Sequence, residues 1–308
     1  MPEVHALLAN VTVLERGWLS SNNILIHPAA GEDGALLIDT SHVNHAAQTV
    51  QLLQHALGDT PLARIVNTHL HSDHCGGNAT LQVRFGAPVS VPQRSAAAVS
   101  AWDEDRLSYR ATGQTCPPFT LAGSIAPGDT LRAGGMDWQV LEAPGHDPDS
   151  VMLFEPGNGL LISADALWEN GFGLVFPELA GEQGFADTAR VLDAIERLPV
   201  RWVVPGHGAP FSDLTGALGR ARSRLAAWQA APERHARHAL KVLAKYHLME
   251  VRAEPIEQLV AWAEHAPLVT GLRRHFPQAF GDDWCERAVH ELVAVGALSM
   301  QAGIVRDA

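Results

Sequence analysis

His69-Leu70-His71-Ser72-Asp73-His74 puts four side chains able to bind a metal into a stretch of six residues. Imidazole nitrogens and a carboxylate suit a borderline cation such as Zn2+. The stretch follows Arg64–Thr68 (RIVNT), which reads as a buried strand, so it lies where a strand hands the chain to a loop. In extended backbone, residues two apart project to the same side. Spacing alone therefore turns His69, His71 and Asp73 together and His74 elsewhere, which suggests two metals rather than one. The alternative is a solvated polar loop with incidental histidines.

Three later segments weigh against that alternative. Pro144-Gly145-His146 follows a strand-like stretch, Asp137–Ala143. Ser163-Ala164-Asp165 follows Gly159–Ile162, and Pro205-Gly206-His207-Gly208 follows Trp202–Val204. Each places one ligand-type side chain in a turn just after a strand. A single histidine after glycine is usually a loop residue; the set in this order carries far more weight.

Taken together, these motifs resemble those of the metallo-β-lactamase superfamily, whose five metal-binding motifs occur here in order over residues 1–214. The resemblance implies an α/β fold, an αββα sandwich with its metals at one edge of two sheets. It implies that His69, His71 and His146 hold a first metal, that Asp73, His74 and His207 hold a second, and that Asp165 bridges them. Asp39 matches an early acidic position that braces the site without binding metal, the role of partners that orient ligands. Asn23 is read either as a similar support or as a turn residue.

Details of the match separate branches of the family. Position 71 is His where redox di-iron members carry Glu. The full ligand set with Asp165 resembles the dinuclear glyoxalase II, lactonase and RNA-processing branches. Exported zinc β-lactamases lack the bridging aspartate, and persulfide dioxygenases use one iron, so both are lesser options. The implied cofactor is two divalent cations, Zn2+ first with Fe or Mn as alternatives, roughly 3.5–4 Å apart in dinuclear hydrolases. They would lower the pKa of a bridging water from 15.7 to about 7, giving a hydroxide that attacks a carbonyl. Asp73 is the candidate to accept a proton from the collapsing intermediate. The expected substrate is a thioester, ester or lactone with an apolar or acyl portion, and the alternative activity is that of an endoribonuclease or phosphodiesterase.

The rest of the chain bounds this reading. It has 308 residues, 46% hydrophobic, with a net charge of −12, enough for one large domain and a small one. The expected division is a catalytic domain at 1–214 and a helical one at 215–308. Residues 1–214 carry −14 and the remainder +2, a balance that disfavours nucleic acid or an anionic membrane as partner. Three scattered cysteines imply no disulfide framework, and residues 1–17 lack the pattern of a signal peptide. A cytoplasmic protein acting on a small molecule is expected.

Strands are expected at Val4–Leu14, Asn23–His27, Ala35–Asp39, Pro88–Val91 and Val151–Glu155. Helices are expected at 43–57, 76–85, 94–100 and 185–198. The tail reads as helices at 215–230, 233–248, 256–264 and 282–295, closing in a hairpin in the manner of a winged helix. It serves as a lid, a homodimer interface or a nucleic-acid module. His235 and His238 are expected on a solvated face. Cys75, before Gly76-Gly77, reads as small-residue packing rather than as a ligand. Trp102, Tyr109 and Phe119 in the long 94–120 connection, and Trp168, Phe172 and Phe176 after Asp165, are candidates for the pocket wall. No cluster of Arg and Lys suited to gripping a carboxylate is visible along the chain.

Overall fold

Strict alternation gives the first strands two buried faces. In β2, Leu25 points one way and Ile24 and Ile26 the other; in β3, Leu37 opposes Leu36 and Ile38, and every one of these side chains is buried. Such strands must be covered on both sides, as in layered α/β packing. The computed structural model describes residues 9–281 and 283–308. The first part of the expected Val4–Leu14 strand, and Asp282 at the start of the last expected helix, lie outside the described residues.

The first sheet has six strands in chain order, β1 (Val11–Leu14), β2 (Asn23–Ile26), β3 (Ala35–Ile38), β4 (Leu62–Val66), β5 (Val89–Pro92) and β6 (Leu121–Ile125). Strands β1 to β3 pair antiparallel and β3 to β6 parallel. Parallel neighbours need crossover connections. These are α1 (Ala46–Leu57), then α2 (Ser72–Cys75) with α3 (Asn78–Phe85), then α4 (Ala96–Ala101) with α5 (Tyr109–Thr112). The second sheet runs β11-β10-β9-β8-β7, from β7 (Thr130–Ala133), β8 (Met136–Glu142), β9 (Val151–Glu155), β10 (Leu160–Ala164) and β11 (Trp202–Pro205). Its one parallel pair, β10 with β11, is bridged by α6 (Phe176–Leu179) and α7 (Gly184–Glu196).

Three apolar layers follow. Ile24, Ile38 and Val66 from the first sheet meet Trp138, Leu153 and Ile162 from the second. Leu37, Ile65 and Val89 pack outward on Leu53 of α1 and Leu81 of α3, while Phe154, Leu161 and Val203 pack outward on Val191, Leu192 and Ile195 of α7. The order is helices, sheet, sheet, helices, the αββα sandwich. Leu153, fully buried between the sheets, is a position where truncation to Ala should cost about 2–5 kcal/mol.

The helical region after the sandwich begins at α8 (Leu214–Ala230), capped by the Asp213 carboxylate, which accepts from the Gly216 amide. Its apolar stripe, Ala217, Ala221, Leu225 and Trp228, joins the layer under α7. Next come α9 (Pro232–Val251), β12 (Ala253–Pro255), α10 (Ile256–His265), α11 (Pro267–His275), α12 (Trp284–Ala294), β13 (Leu298–Gln301) and β14 (Ile304–Asp307). The expected hairpin after the last helix is β13–β14, and β12 pairs on the other side of β14. Helix α11 is absent from the sequence reading. Pro267 holds Ala266 extended (φ −63°, ψ 120°) and divides one apolar run into two helices.

His235 does not lie on a solvated face. It is buried against Trp228 and Phe185, and its Nε2 accepts the Val175 amide at 3.2 Å. Strands β6 and β7 were also missed, because alternate residues in both are exposed or partly exposed, which weakens the apolar signal.

Candidate metal centre

Five strands, β3, β4, β8, β10 and β11, release their C-terminal ends at one edge of the sandwich, and each delivers one motif. β3 ends at Asp39, β4 runs into His69, β8 leads to His146, β10 to Asp165 and β11 to His207. After His71, which is extended (φ −65°, ψ 147°), Ser72–Cys75 forms the helical turn α2. This turn alters the geometry expected from extended spacing. Asp73 moves away from His69 and His71 and sides with His74.

Asp39 organises the loop. Its Oδ1 accepts the Thr68 amide at 2.8 Å, and its Oδ2 accepts the Thr68 hydroxyl at 2.7 Å and lies 2.7 Å from His74 Nδ1. A carboxylate accepts only, so His74 carries its proton on Nδ1. Its Nε2 then presents a lone pair that is buried and has no hydrogen-bond partner among the described residues. An orphaned buried acceptor is costly unless something occupies it. In the same way His146 Nδ1 donates to the Leu174 carbonyl at 2.6 Å, which leaves Nε2 facing inward.

The side chains converge in three overlapping groups: His69, His71 and His146; His69, His74 and Asp165; Asp73, His74 and His207. Within each group one donor atom per residue lies within 4.8 Å of the others. His71 Nδ1 is 3.1 Å from His69 Nε2 and 2.7 Å from His146 Nε2. His207 Nε2 is 3.1 Å from Asp73 Oδ2. Asp165 stands between the outer groups, 3.3 Å from His146 Nε2 and 3.9 Å from His207 Nε2. Buried imidazole nitrogens facing one another beside ionised carboxylates are a donor set that fits divalent cations.

The charge states of His69, His71 and Asp73 agree with that fit, whereas His74, facing three carboxylates, favours a protonated form that a cation at Nε2 would displace. Burial, with the neighbouring His74, His71 and His146, holds His69 well below the usual histidine range, and burial and His146 take His71 to about 3. Asp73 resists burial and falls to about 2 because His74 and His207 face it. Burial lowers His74, but Asp165, Asp39 and Asp73 outweigh it and raise its pKa well above the ordinary value. Gly206 is required by packing, since a Cβ there would collide with Asp165 Oδ1.

Asn23 does not reach the cluster. Its Nδ2 donates to the Asp39 carbonyl at 3.3 Å and its Oδ1 accepts from Arg16 and Ser41, so it braces Asp39 from behind. Asn22, which the sequence reading passed over, donates to the Pro205 and Gly208 carbonyls at 2.9 and 2.7 Å and fixes the His207 loop.

A cavity of about 1010 Å³ opens beside the cluster, lined by Trp168, Phe172, Phe176 and Trp18. Trp18 stacks on His207 with centroids 5.2 Å apart, and Trp168 donates from Nε1 to Asp165 Oδ1 at 3.2 Å. Phe176 lies 4.9 Å from the His71 ring. Trp102, Tyr109 and Phe119 do not line the cavity. Their chain segment covers the outer face of the first sheet, where Trp102 packs against Phe119, and Tyr109 donates to the Leu70 carbonyl at 2.8 Å.

The far wall comes from the tail. Tyr246 on α9 meets Ser72 Oγ at 2.7 Å, and Glu250, one turn on, pairs with His42 at 2.9 Å. Arg224, His238, Lys241 and Lys245 also face the cavity. The sequence reading found no such cluster because helical spacing separates its members. Lys241 is paired with Glu291 and Lys245 with Asp307.

A hydroxyacylglutathione hydrolase from Xanthomonas campestris pv. campestris is 31% identical over 169 residues, 55% of this chain and 52% of that one. One from Bdellovibrio bacteriovorus is 29% identical over 46% of this chain and 47% of that protein. The chain thus spans only about half the length of these curated relatives. Among solved structures, a metallo-beta-lactamase family protein from Thermus thermophilus superposes with a TM-score of 0.57 at 20% identity, over 98% of this chain and 100% of that one. The sequence pattern of the metallo-beta-lactamase superfamily matches residues 16–207, more than half of the chain and all seven of the converging side chains. The chain belongs to the metallo-β-lactamase superfamily.

Proposed function

We propose that this chain is a dinuclear metal-dependent hydrolase, zinc-loaded by preference, acting on a thioester or a related ester or lactone with an apolar acyl portion. The carrying observation is the buried seven-residue cluster with Asp165 between its two outer groups, opening directly onto an aromatic cavity. In the proposed assignment His69, His71 and His146 would hold one cation and Asp73, His74 and His207 the other, with Asp165 placed between the two groups. When bound, the cations supply Lewis acidity and a water acidic enough to act as a nucleophile near neutral pH.

The chain's own residues do the rest. Asp39 and the Leu174 carbonyl fix the tautomers of His74 and His146, so that lone pairs point inward. Trp168 holds Asp165 in place from outside. Asp73, ionised and aligned with His207, is positioned to take the proton released as the ester bond breaks. Trp18, Phe172 and Phe176 give the cavity an apolar wall that accepts an acyl group. Helix α9 closes over the site of its own chain, so we assign the region after Leu214 as a lid on a catalytic unit at 1–214. Thioesters are favoured among the candidate esters because the curated relatives carry the name hydroxyacylglutathione hydrolase.

A panel of acyl thioesters, lactones and bis(p-nitrophenyl) phosphate, run on the metal-loaded protein, tests the reading. Turnover of a thioester or lactone well above the phosphodiester is expected. Cleavage of the phosphodiester alone would overturn it.

A further inference from the structure

Cys75 closes α2, the turn that carries Asp73 and His74, and Cys116 lies in the segment after α5. Their sulfurs are 3.6 Å apart although the residues are 41 positions apart in the chain. Cys75 is fully buried and Cys116 is 8% exposed. The pair sits in a small polar nest. Cys75 Sγ lies 3.4 Å from the Leu70 and His71 carbonyls and 3.2 Å from the Tyr109 hydroxyl, which itself donates to the Leu70 carbonyl. Two positions before Cys116, Gln114 Oε1 accepts the Ser72 amide at 2.8 Å. The two backbones are therefore docked beside each other without the sulfurs.

We propose that Cys75 and Cys116 form an oxidisable dithiol that a hydroperoxide closes to an intramolecular disulfide. A disulfide bond is about 2.05 Å long, so closure needs the sulfurs to approach by roughly 1.5 Å, while the Ser72–Gln114 contact already fixes the register of the two segments.

The chemistry balances with a hydroperoxide as the only co-reactant. The Cys116 sulfur, the more exposed, attacks the peroxide; an S–O bond forms, the O–O bond breaks, and water leaves from hydrogen peroxide. The product is a sulfenic acid. Cys75 sulfur then attacks Cys116 sulfur; the S–S bond forms, the S–O bond breaks, and the departing hydroxide leaves with the Cys75 proton as a second water. Two thiols are oxidised by two electrons and one peroxide is reduced. The disulfide would staple the 113–117 segment to the turn carrying Asp73 and His74.

Cys285 is the internal control: it is buried in α12, burial pushes its thiol up to about 12, and no other cysteine contacts it among the described residues. The purified full chain is treated with stoichiometric hydrogen peroxide, unfolded, alkylated and mapped by peptide mass spectrometry. The expected result is loss of two hydrogen masses, a linked peptide pair joining Cys75 to Cys116, an alkylated Cys285, and three alkylated cysteines again after dithiothreitol. The oxidised protein should also melt at a higher temperature than the reduced one. Both thiols left alkylatable, sulfinic or sulfonic products without a link, or a bond between two chains would each overturn the proposal. The wild-type measurement decides by itself. In a Cys75→Ser variant, a dimedone adduct on Cys116 is the expected companion result, and its absence on folded protein would count against the order of steps.

Discussion

Asp39 Oδ2 and His74 Nδ1 lie 2.7 Å apart, both fully buried, and the contact sets the direction of the unpartnered His74 Nε2. Residue 39 binds no metal in this arrangement, yet it holds the loop twice through Thr68 and the imidazole once. It decides which nitrogen faces the cluster.

Replacing Asp39 should therefore weaken metal binding without touching a ligand. Partners of this kind typically contribute 10–100-fold in affinity. Asp39→Asn is expected to lower zinc affinity within that range in a chelator competition assay; unchanged affinity would show that His74 is oriented by something else.

A single methyl at Gly206 is predicted to do comparable damage from the opposite side. Its Cβ would collide with Asp165 Oδ1 and lie 3.0 Å from His74 Cε1, so either the His207 loop or Asp165 must move. Gly206→Ala should retain less than half of the wild-type metal after dialysis, while an alanine at Gly208, with nothing within 4 Å of its Cβ, disturbs only its positive φ and should retain it.

The first sandwich half and the metal cluster were legible for a physical reason. Ligands must leave strand ends in short turns, so the chemistry is written locally, as in the stretch from His69 to His74. Spacing did not show that Ser72 begins a helical turn, and so it grouped Asp73 with the wrong partners. The cavity wall was harder, because it is assembled over distance. Trp18 follows Gly17 in the loop between β1 and β2 and gives no signal until β11 brings His207 beneath it. Trp102, Tyr109 and Phe119 look like pocket aromatics in sequence, yet the outer face of the first sheet takes them. His235 reads as solvated because the helix around it is highly charged, and only α7 and α8 packing shows it buried.

That histidine gives a pH prediction away from the metal site. Burial, aided by His238, lowers the folded His235 pKa to about 3, below an unfolded value near 6.5. The unfolded chain thus binds the extra proton, and stability rises with pH across the window between the two values. The contribution is complete above about 6.5 and is lost as pH falls toward 3. Urea unfolding of the wild type should show a loss of a few kcal/mol on acidification through this range. His235→Gln should flatten that part of the slope; an unchanged slope would contradict a neutral buried imidazole.

The aromatic wall should govern acyl preference. Phe176 touches His71 and His146 from the cavity side, with centroids 4.9 and 5.4 Å away. Phe176→Ala is expected to raise KM for long-chain acyl thioesters by roughly 10-fold, a loss of about 1.4 kcal/mol, with a smaller effect on acetyl thioesters. Equal losses for both chain lengths would place the acyl group elsewhere.

The central claim is that seven side chains from four strand ends hold two cations, with Asp39 from a fifth bracing them. Metal content per chain, measured on protein refolded with excess zinc and freed of loose metal, tests it most directly. Close to two zinc ions are expected per wild-type chain and close to one when His207 is replaced by Ala, since the group of His69, His71 and His146 is left intact. One ion in the wild type, or two ions retained by the His207→Ala chain, would contradict it.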